Sequence, residues 1–285
     1  MPRLAVLGQP ISHSRSPAIH TAALAELGLA GEWSYEAIEV APPDFAKLVG
    51  SLAGAGFAGV NVTVPHKLAA LALGDSASVA AREIGAANTL TFSAGAVTAD
   101  NTDAVGLIAA LPEPPQGKRA LVLGAGGSAR ACIWALRQAG AEVAIWNRTG
   151  SKAQSLADEL GATQIRPAAT GHLPIGDFDL LVNATTVGMD AANPASQADA
   201  QAPGALKALP IDADAISERQ VVVDLVYGSV PTPLISAARS RGACVVDGLE
   251  ILVRQGAASL RLWTGLEPPL ETMRQAALEV TGNER

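Results

Sequence analysis

Ala120-Leu121-Val122-Leu123-Gly124-Ala125-Gly126-Gly127-Ser128-Ala129 is the stretch that decides the fold. Its apolar residues read as a buried strand, and the glycines that follow turn the chain into a helical run from Ser128 to Gln138. In Gly124-x-Gly126-x-x-Ala129 the first glycine permits a tight turn, the second lets backbone amides approach a pyrophosphate, and the small Ala129 allows close helix packing. Ala125, Gly127 and Ser128 complete a loop whose free N–H groups sit at the positive end of a helix, where phosphate is favoured. A glycine turn without a ligand is the alternative, and the register of strand, loop, helix and next strand weighs against it.

The next strand, Glu142 to Trp146, ends in Asn147-Arg148-Thr149, with Lys152 following. Enzymes that prefer NAD usually carry an acid there to accept hydrogen bonds from the ribose. Two cations and two neutral donors stand in its place, which suits a 2′-phosphate and favours NADP over NAD. Taken singly, Arg148 and Lys152 read equally well as solvated surface charge.

Downstream, a helix from Ser151 to Leu160 and strands at Asp179–Val182, Val221–Leu225 and Ala243–Val246 continue the alternation. Such alternation implies a doubly wound parallel sheet, an α/β protein. From Gly248 onward two helices, Leu249 to Thr264 and Leu270 to Val280, add no strand, and Ala195 to Ala208 reads as a soft loop. Upstream, Pro112-Glu113-Pro114-Pro115-Gln116-Gly117 cannot continue a helix and reads as a linker. Before it come a strand at Arg3–Leu7, a helix at Ser16–Leu27 with Ser16 as N-cap and Pro17 first, and a strand at Tyr35–Val40. A helix then runs from Asp44 to Leu52, introduced by Pro42-Pro43. Val60 to Val64 alternates, with Asn61 and Thr63 on a polar side that needs a purpose.

The 285 residues favour two domains, and 49% apolar with 16% charged residues is ordinary globular composition. A net charge of -7 argues against a nucleic-acid partner, so an anionic ligand must be met by local donors. Nothing approaches a membrane span or a signal peptide. Cys132 and Cys244 lack metal-ligand spacing and are expected as buried free thiols, which points to the cytoplasm. His13 and His20 have no second ligand at metal spacing and are expected to be satisfied or solvent-facing, with no metal site.

Gly8-Gln9-Pro10-Ile11-Ser12-His13-Ser14-Arg15-Ser16-Pro17 places Ser14 and Ser16 at a helix start, where hydroxyls and free amides form a neutral carboxylate cradle. The competing reading makes Ser16 only a cap. Pro65-His66-Lys67 turns the chain so that Lys67 lies near a strand's end, able to exchange a proton with a substrate oxygen, or standing there as surface charge. Asn101-Thr102-Asp103 precedes a helix and could serve merely as its cap. Together these runs describe an enzyme that oxidises or reduces a small acid.

Read together, the residues resemble the shikimate dehydrogenase family almost end to end. The likeness rests on Gly8 to Pro17, Asn61-Val62-Thr63-Val64-Pro65-His66-Lys67, Gly85-Ala86-Ala87-Asn88-Thr89, Asp100 to Asp103, Gly124 to Arg130, Asn147-Arg148-Thr149, Asn183-Ala184-Thr185, Asp224-Leu225-Val226-Tyr227, and Asp247 through Gln255. The resemblance implies a substrate domain over 1–103, to which 247–285 returns, and a Rossmann-like NADP domain over 104–246, the two closing around a cleft. It implies reversible NADPH-dependent reduction of 3-dehydroshikimate to shikimate, with Lys67 as general acid and base and Asp103 orienting it. Ser14 and Ser16 would take the substrate carboxylate, and Thr63, Asn88, Asp103 and Gln255 the ring hydroxyls. Tyr227 would add a substrate contact, while Asn183, Leu225 and Gly248 would border the nicotinamide.

Three positions depart from the family pattern: Thr21 where asparagine is frequent, Lys152 where a second arginine is usual, and Glu250 where glycine is frequent. Two other readings stand beside the main one. A quinate-type relative using NAD would share fold and catalytic pair. A noncatalytic nucleotide sensor would have no need of both Lys67 and Asp103. Oligomeric state is left open, a homodimer included.

Overall fold

The computed structural model describes residues 1–189, 206 and 208–279, and they fall into two compact units: Met1–Ala109 with Leu252–Arg285, and Ala110–Ile251. The first unit is built on a six-stranded mixed sheet of order β2-β1-β3-β5-β6-β4. Its strands are β1 (Arg3–Gly8), β2 (Ser34–Glu39), β3 (Phe57–Val62), β4 (Ser76–Ala77), β5 (Thr89–Ser93) and β6 (Ala96–Asp100). β1 pairs in parallel with β2 and β3, whereas β3–β5 and β5–β6 are antiparallel. Helices α1 (Ser16–Glu26), α2 (Phe45–Leu52), α3 (Lys67–Ala72), α4 (Val79–Ile84) and α5 (Asp103–Ala110) connect them. Leu7, Phe45, Val49, Val60, Val62 and Leu90 form the buried centre.

The second unit carries a wholly parallel sheet of order β12-β11-β10-β7-β8-β9. Its strands are β7 (Arg119–Leu123), β8 (Glu142–Trp146), β9 (Thr163–Gln164), β10 (Leu180–Asn183), β11 (Val221–Asp224) and β12 (Cys244–Val246). Helices α6 (Gly127–Gln138), α7 (Gly150–Leu160) and α8 (Pro233–Ser240) wind around it. β7 and β10 are neighbours although three strands apart in sequence, so the winding reverses between them. In doubly wound sheets ligands bind outside the carboxyl ends of the strands at that switch point. Strands buried on both faces explain the unbroken apolar runs Ala120–Leu123, Leu180–Val182 and Val221–Val223.

After β12, α9 (Gly248–Thr264) and α10 (Leu270–Glu279) add no strand. α10 packs along α1, and the Trp263 indole N–H donates to the Leu90 carbonyl at 3.2 Å. Arg15 is buried and donates to the Ala277 carbonyl at 2.7 Å, a cation on the last turn of a helix.

Several expectations need correction. Ser16 is the first residue of α1 rather than its cap; Arg15 holds the cap position, and the Ser14 hydroxyl accepts the Ser16 N–H at 3.3 Å. The Pro42-Pro43 entry forms a 3₁₀ turn over Pro42–Asp44, and α2 starts at Phe45. β3 stops at Val62, so Thr63 lies beyond the strand and Val64 is exposed, while Asn61 is buried. The β5–β6 hairpin was not anticipated; its Ala94-Gly95 turn has φ of 50° and 81°, the left-handed pair that a two-residue hairpin demands. Cys132 is buried but Cys244 is exposed, because its short strand lies at the sheet edge. His20 is neither satisfied nor solvent-facing: among the described residues neither buried ring nitrogen has a partner at hydrogen-bond geometry, and burial, against a weaker opposing effect of the nearby Asn61 side chain, lowers its pKa to about 3. The soft segment Ala195–Ala208 lies outside the described residues except for Leu206 and Ala208, as does Val280.

Among the described residues no helix is long and apolar enough to cross a membrane, and no group of His, Cys, Asp or Glu is arranged to hold a metal ion.

Candidate active site

In the first unit, four predicted residues are joined by direct hydrogen bonds. The Lys67 ammonium lies 2.6 Å from Asp103 Oδ2, with side chains only 12% and 13% exposed. Asn88 Nδ2 donates toward Asp103 Oδ1 at 2.9 Å and Gln255 Oε1 at 3.2 Å. Local folding puts each residue there. Lys67 opens α3 directly after the β3 loop, and Ala87 N–H donates back to the Lys67 carbonyl at 2.9 Å, drawing the Asn88 strand to it. Asp103 opens α5, where free N–H groups favour a carboxylate, and Asn101 Oδ1 caps that turn by accepting from Ala104 N–H at 3.3 Å. Gln255 arrives on α9, 167 positions beyond the Asn88 it meets.

Ser14, Ser16 and Thr63 belong to the adjoining loops. The β1–α1 loop is tied to the β3–α3 loop by Thr63 N–H to the Leu7 carbonyl at 2.9 Å and Gln9 N–H to the Val64 carbonyl at 3.0 Å. The loop's one cation, Arg15, is engaged by Ala277, so hydroxyls and amides are what Ser14 and Ser16 bring to an anion. Thr102 was not singled out by itself from the sequence. Its N–H donates to Asn88 Oδ1 at 2.7 Å and it is buried inside the quartet. The hydroxyl between two flagged neighbours was the available signal.

In the second unit, Gly124 follows β7 at φ +117°, and a Cβ there would meet the Ala184 carbonyl at 2.9 Å, so only glycine lets the two switch-point loops approach. Gly126 caps α6 and has open space around it, Gly127 and Ser128 form the first turn, and Ala129 is buried against the sheet. Asn147 is half-buried and donates to the Thr149 carbonyl, while Arg148, Thr149 and Lys152 are exposed. An open amide-rich turn with cations and no acid at the end of β8 fits a dinucleotide bearing a 2′-phosphate.

The Asn183 side chain is fully buried and occupied internally, donating to Asp224 Oδ1 at 2.9 Å and the Val187 carbonyl at 3.1 Å and accepting from Thr185. Leu225 and Tyr227 lie half-buried just after β11, and Gly248 packs so closely that a Cβ would lie 2.6 Å from the Leu225 carbonyl.

Burial pushes the Asp224 carboxyl from 3.8 up to about 6, against hydrogen bonds from Thr232, Val226 and Asn183 that favour the anion. The folded chain therefore holds a proton between those values that the unfolded chain has released, and stability falls as pH rises through that window. Asp224→Asn removes the titration. Measured by urea unfolding, its stability relative to wild type should rise by up to about 3 kcal/mol from pH 4 to pH 7. A difference that does not change with pH would refute this.

A mixed sheet bearing a lysine–carboxylate pair among hydroxyls and amides, and a doubly wound sheet with a phosphate-type turn, together define the class of two-unit α/β dehydrogenases. Family profiles agree in detail: one described as the shikimate dehydrogenase substrate binding domain matches residues 6–90, one described as shikimate / quinate 5-dehydrogenase matches 110–212, and one described as the shikimate 5'-dehydrogenase C-terminal domain matches 248–278. Shikimate dehydrogenase (NADP(+)) of Mesorhizobium japonicum is 42% identical over 280 residues, covering 96% of this chain and 94% of the relative. A crystal structure of shikimate 5-dehydrogenase from Thermus thermophilus in complex with NADP(H) and shikimate is 42% identical, with a TM-score of 0.83, covering 97% of this chain and 98% of that one. The ligand-free form of 5-ketofructose reductase from a Gluconobacter species is 30% identical with a TM-score of 0.83, covering 98% of both chains. The chain belongs to the shikimate dehydrogenase family.

Proposed function

We propose that the protein is an NADP-dependent oxidoreductase that interconverts shikimate and 3-dehydroshikimate in the synthesis of aromatic amino-acid precursors, in the cytoplasm. The observation that carries this is the Lys67–Asp103 pair at 2.6 Å, bonded through Asn88 to Gln255, on a chain 42% identical over nearly its whole length to an NADP-dependent shikimate dehydrogenase. Lys67 gives a proton to the substrate carbonyl oxygen during reduction and takes one from the hydroxyl during oxidation. Asp103 holds the lysine by one oxygen and Asn88 by the other, so the ammonium is presented in one orientation.

Ser14 and Ser16 would hold the substrate carboxylate with neutral donors, and Thr63, Asn88, Asp103 and Gln255 the ring. Gly124, Ala125, Gly126, Gly127, Ser128 and Ala129 would seat the pyrophosphate, and Asn147, Arg148, Thr149 and Lys152 the adenosine ribose with its 2′-phosphate. Asn183, Leu225 and Gly248 would line the nicotinamide. Bound NADPH supplies the hydride.

Steady-state rates decide it. Shikimate with NADP⁺ should give the highest kcat/KM among shikimate and quinate tested with NADP⁺ and NAD⁺, and 5-ketofructose with NADPH should be reduced poorly. Quinate with NAD⁺ as the best pair would sink the reading.

A further inference from the structure

Thr89 and Asn61 are polar residues buried at the centre of a sheet and directly paired across β3 and β5, and the roles above use neither. Buried polar groups cost stability unless satisfied, so their partners show what they are for. The Tyr35 hydroxyl donates to Asn61 Oδ1 at 2.7 Å, and Asn61 Nδ2 donates to Thr89 Oγ1 at 3.4 Å. The Thr89 hydroxyl donates to Asn88 Oδ1 at 3.1 Å, and Asn88 Nδ2 donates to Asp103 Oδ1 at 2.9 Å. Each of the three groups between the ends of this series, Asn61, Thr89 and Asn88, accepts on one side and donates on the other. Its polarity runs one way, from a phenol to the carboxylate that holds Lys67, and aligned hydrogen bonds of this kind polarise and strengthen one another.

Both ends of the series are fixed. The Tyr35 ring stacks on His20 with centroids 4.1 Å apart and planes 2° from parallel, and Trp263 packs at a tilt 6.5 Å away. At the other end the Thr102 N–H, which can only donate, lies 2.7 Å from Asn88 Oδ1. Turning the Asn88 amide over would set N–H against N–H there and oxygen against the oxygens of Asp103 and Gln255. Thr102 holds Asn88 from the residue that precedes α5 and Thr89 holds it from β5, so the donor aimed at Asp103 is referenced to the sheet as well as to the start of the helix.

We propose that Thr89 is a positioning residue for the reacting site, acting through the orientation of the Asn88 amide; this rests on the roles of Lys67 and Asp103 proposed above. Thr89→Val keeps the shape and loses the hydroxyl, whereas Thr89→Ser keeps the hydroxyl. For shikimate oxidation, kcat of Thr89→Val should fall about 10-fold, the KM for NADP⁺ should stay unchanged, and Thr89→Ser should recover to within about twofold of wild type. In ¹⁵N-labelled protein the Asn88 side-chain amide protons, identified by their loss in Asn88→Asp, should exchange with solvent faster in Thr89→Val than in Thr89→Ser. Should Thr89→Val fail to fold, Tyr35→Phe, which keeps the stacked ring, should move both readouts in the same direction by about threefold.

Unchanged kcat and exchange in the hydroxyl-deleting variant, or a loss in Thr89→Ser equal to that in Thr89→Val, overturns the proposal. Amide exchange needs no turnover. A wild-type protein inert toward shikimate would therefore defeat the assigned reaction and leave the exchange experiment to judge Thr89.

Discussion

Lys67→Ala protein should still bind shikimate yet turn it over about 10³-fold more slowly than wild type. Removing the lysine does not strand its partner: Asp103 keeps the Asn88 N–H at 2.9 Å and sits on the first turn of α5, where a negative charge is favoured. Folding is therefore expected to survive, and binding measured by quenching of protein fluorescence should change little. Lys67→Arg sharpens the test, because arginine preserves the charge beside Asp103 but does not give up a proton near neutral pH. A rate close to wild type in Lys67→Arg would mean that Lys67 acts only as a charge, and the proton-transfer role would have to go to another group.

The second large effect concerns the choice of cofactor. Arg148 and Lys152 lie exposed beyond β8, at the strand end where an acid would otherwise meet ribose hydroxyls. A charge-assisted hydrogen bond to phosphate contributes about 1.5–3 kcal/mol, so Arg148→Ala should lower kcat/KM for NADPH by roughly 10- to 100-fold while the NADH value hardly moves. Lys152→Ala should do less, since an ammonium lacks the planar fork that grips a phosphate by two oxygens. Preference for NADPH should also shrink as ionic strength rises, because both cations are screened by solvent. Equal losses with the two cofactors would show that Arg148 supports the loop rather than reading the 2′-phosphate.

The doubly wound sheet was legible because its strands are buried on both faces and so read as plain apolar runs between glycine turns. The first unit was harder. Thr89 to Ser93 alternates and is followed by Ala94-Gly95, a hairpin signal, yet Thr89 is also a polar residue facing a packed interior, and polarity masks a strand. Lys67 and Asp103 could each be placed at an element's end from the residues alone, but a lysine at a strand end and an aspartate at a helix start are both ordinary surface features. Only family resemblance put them together, because their contact depends on how β3, β5 and α5 are stacked. A serine before proline is a fair cap, yet Arg15 holds that position, and its guanidinium donates to Ala277, a partner 262 residues away that no local window contains. Asn61 gives its strand a polar face that the local sequence leaves without a purpose, because its partners come from β2, β5 and α9, which no local window contains.

The return of α9 and α10 to the first unit sets an order of completion during synthesis. Residues 110–251 form a continuous segment and can close their sheet as soon as they leave the ribosome, although they are second in sequence. The N-terminal sheet emerges earlier and must wait, because Gln255, Ser259, Trp263 and the carbonyl that receives Arg15 are made only after residues 110–251. Nascent chains halted before Leu252 would carry a finished nucleotide-type sheet beside a substrate-type sheet still missing one wall.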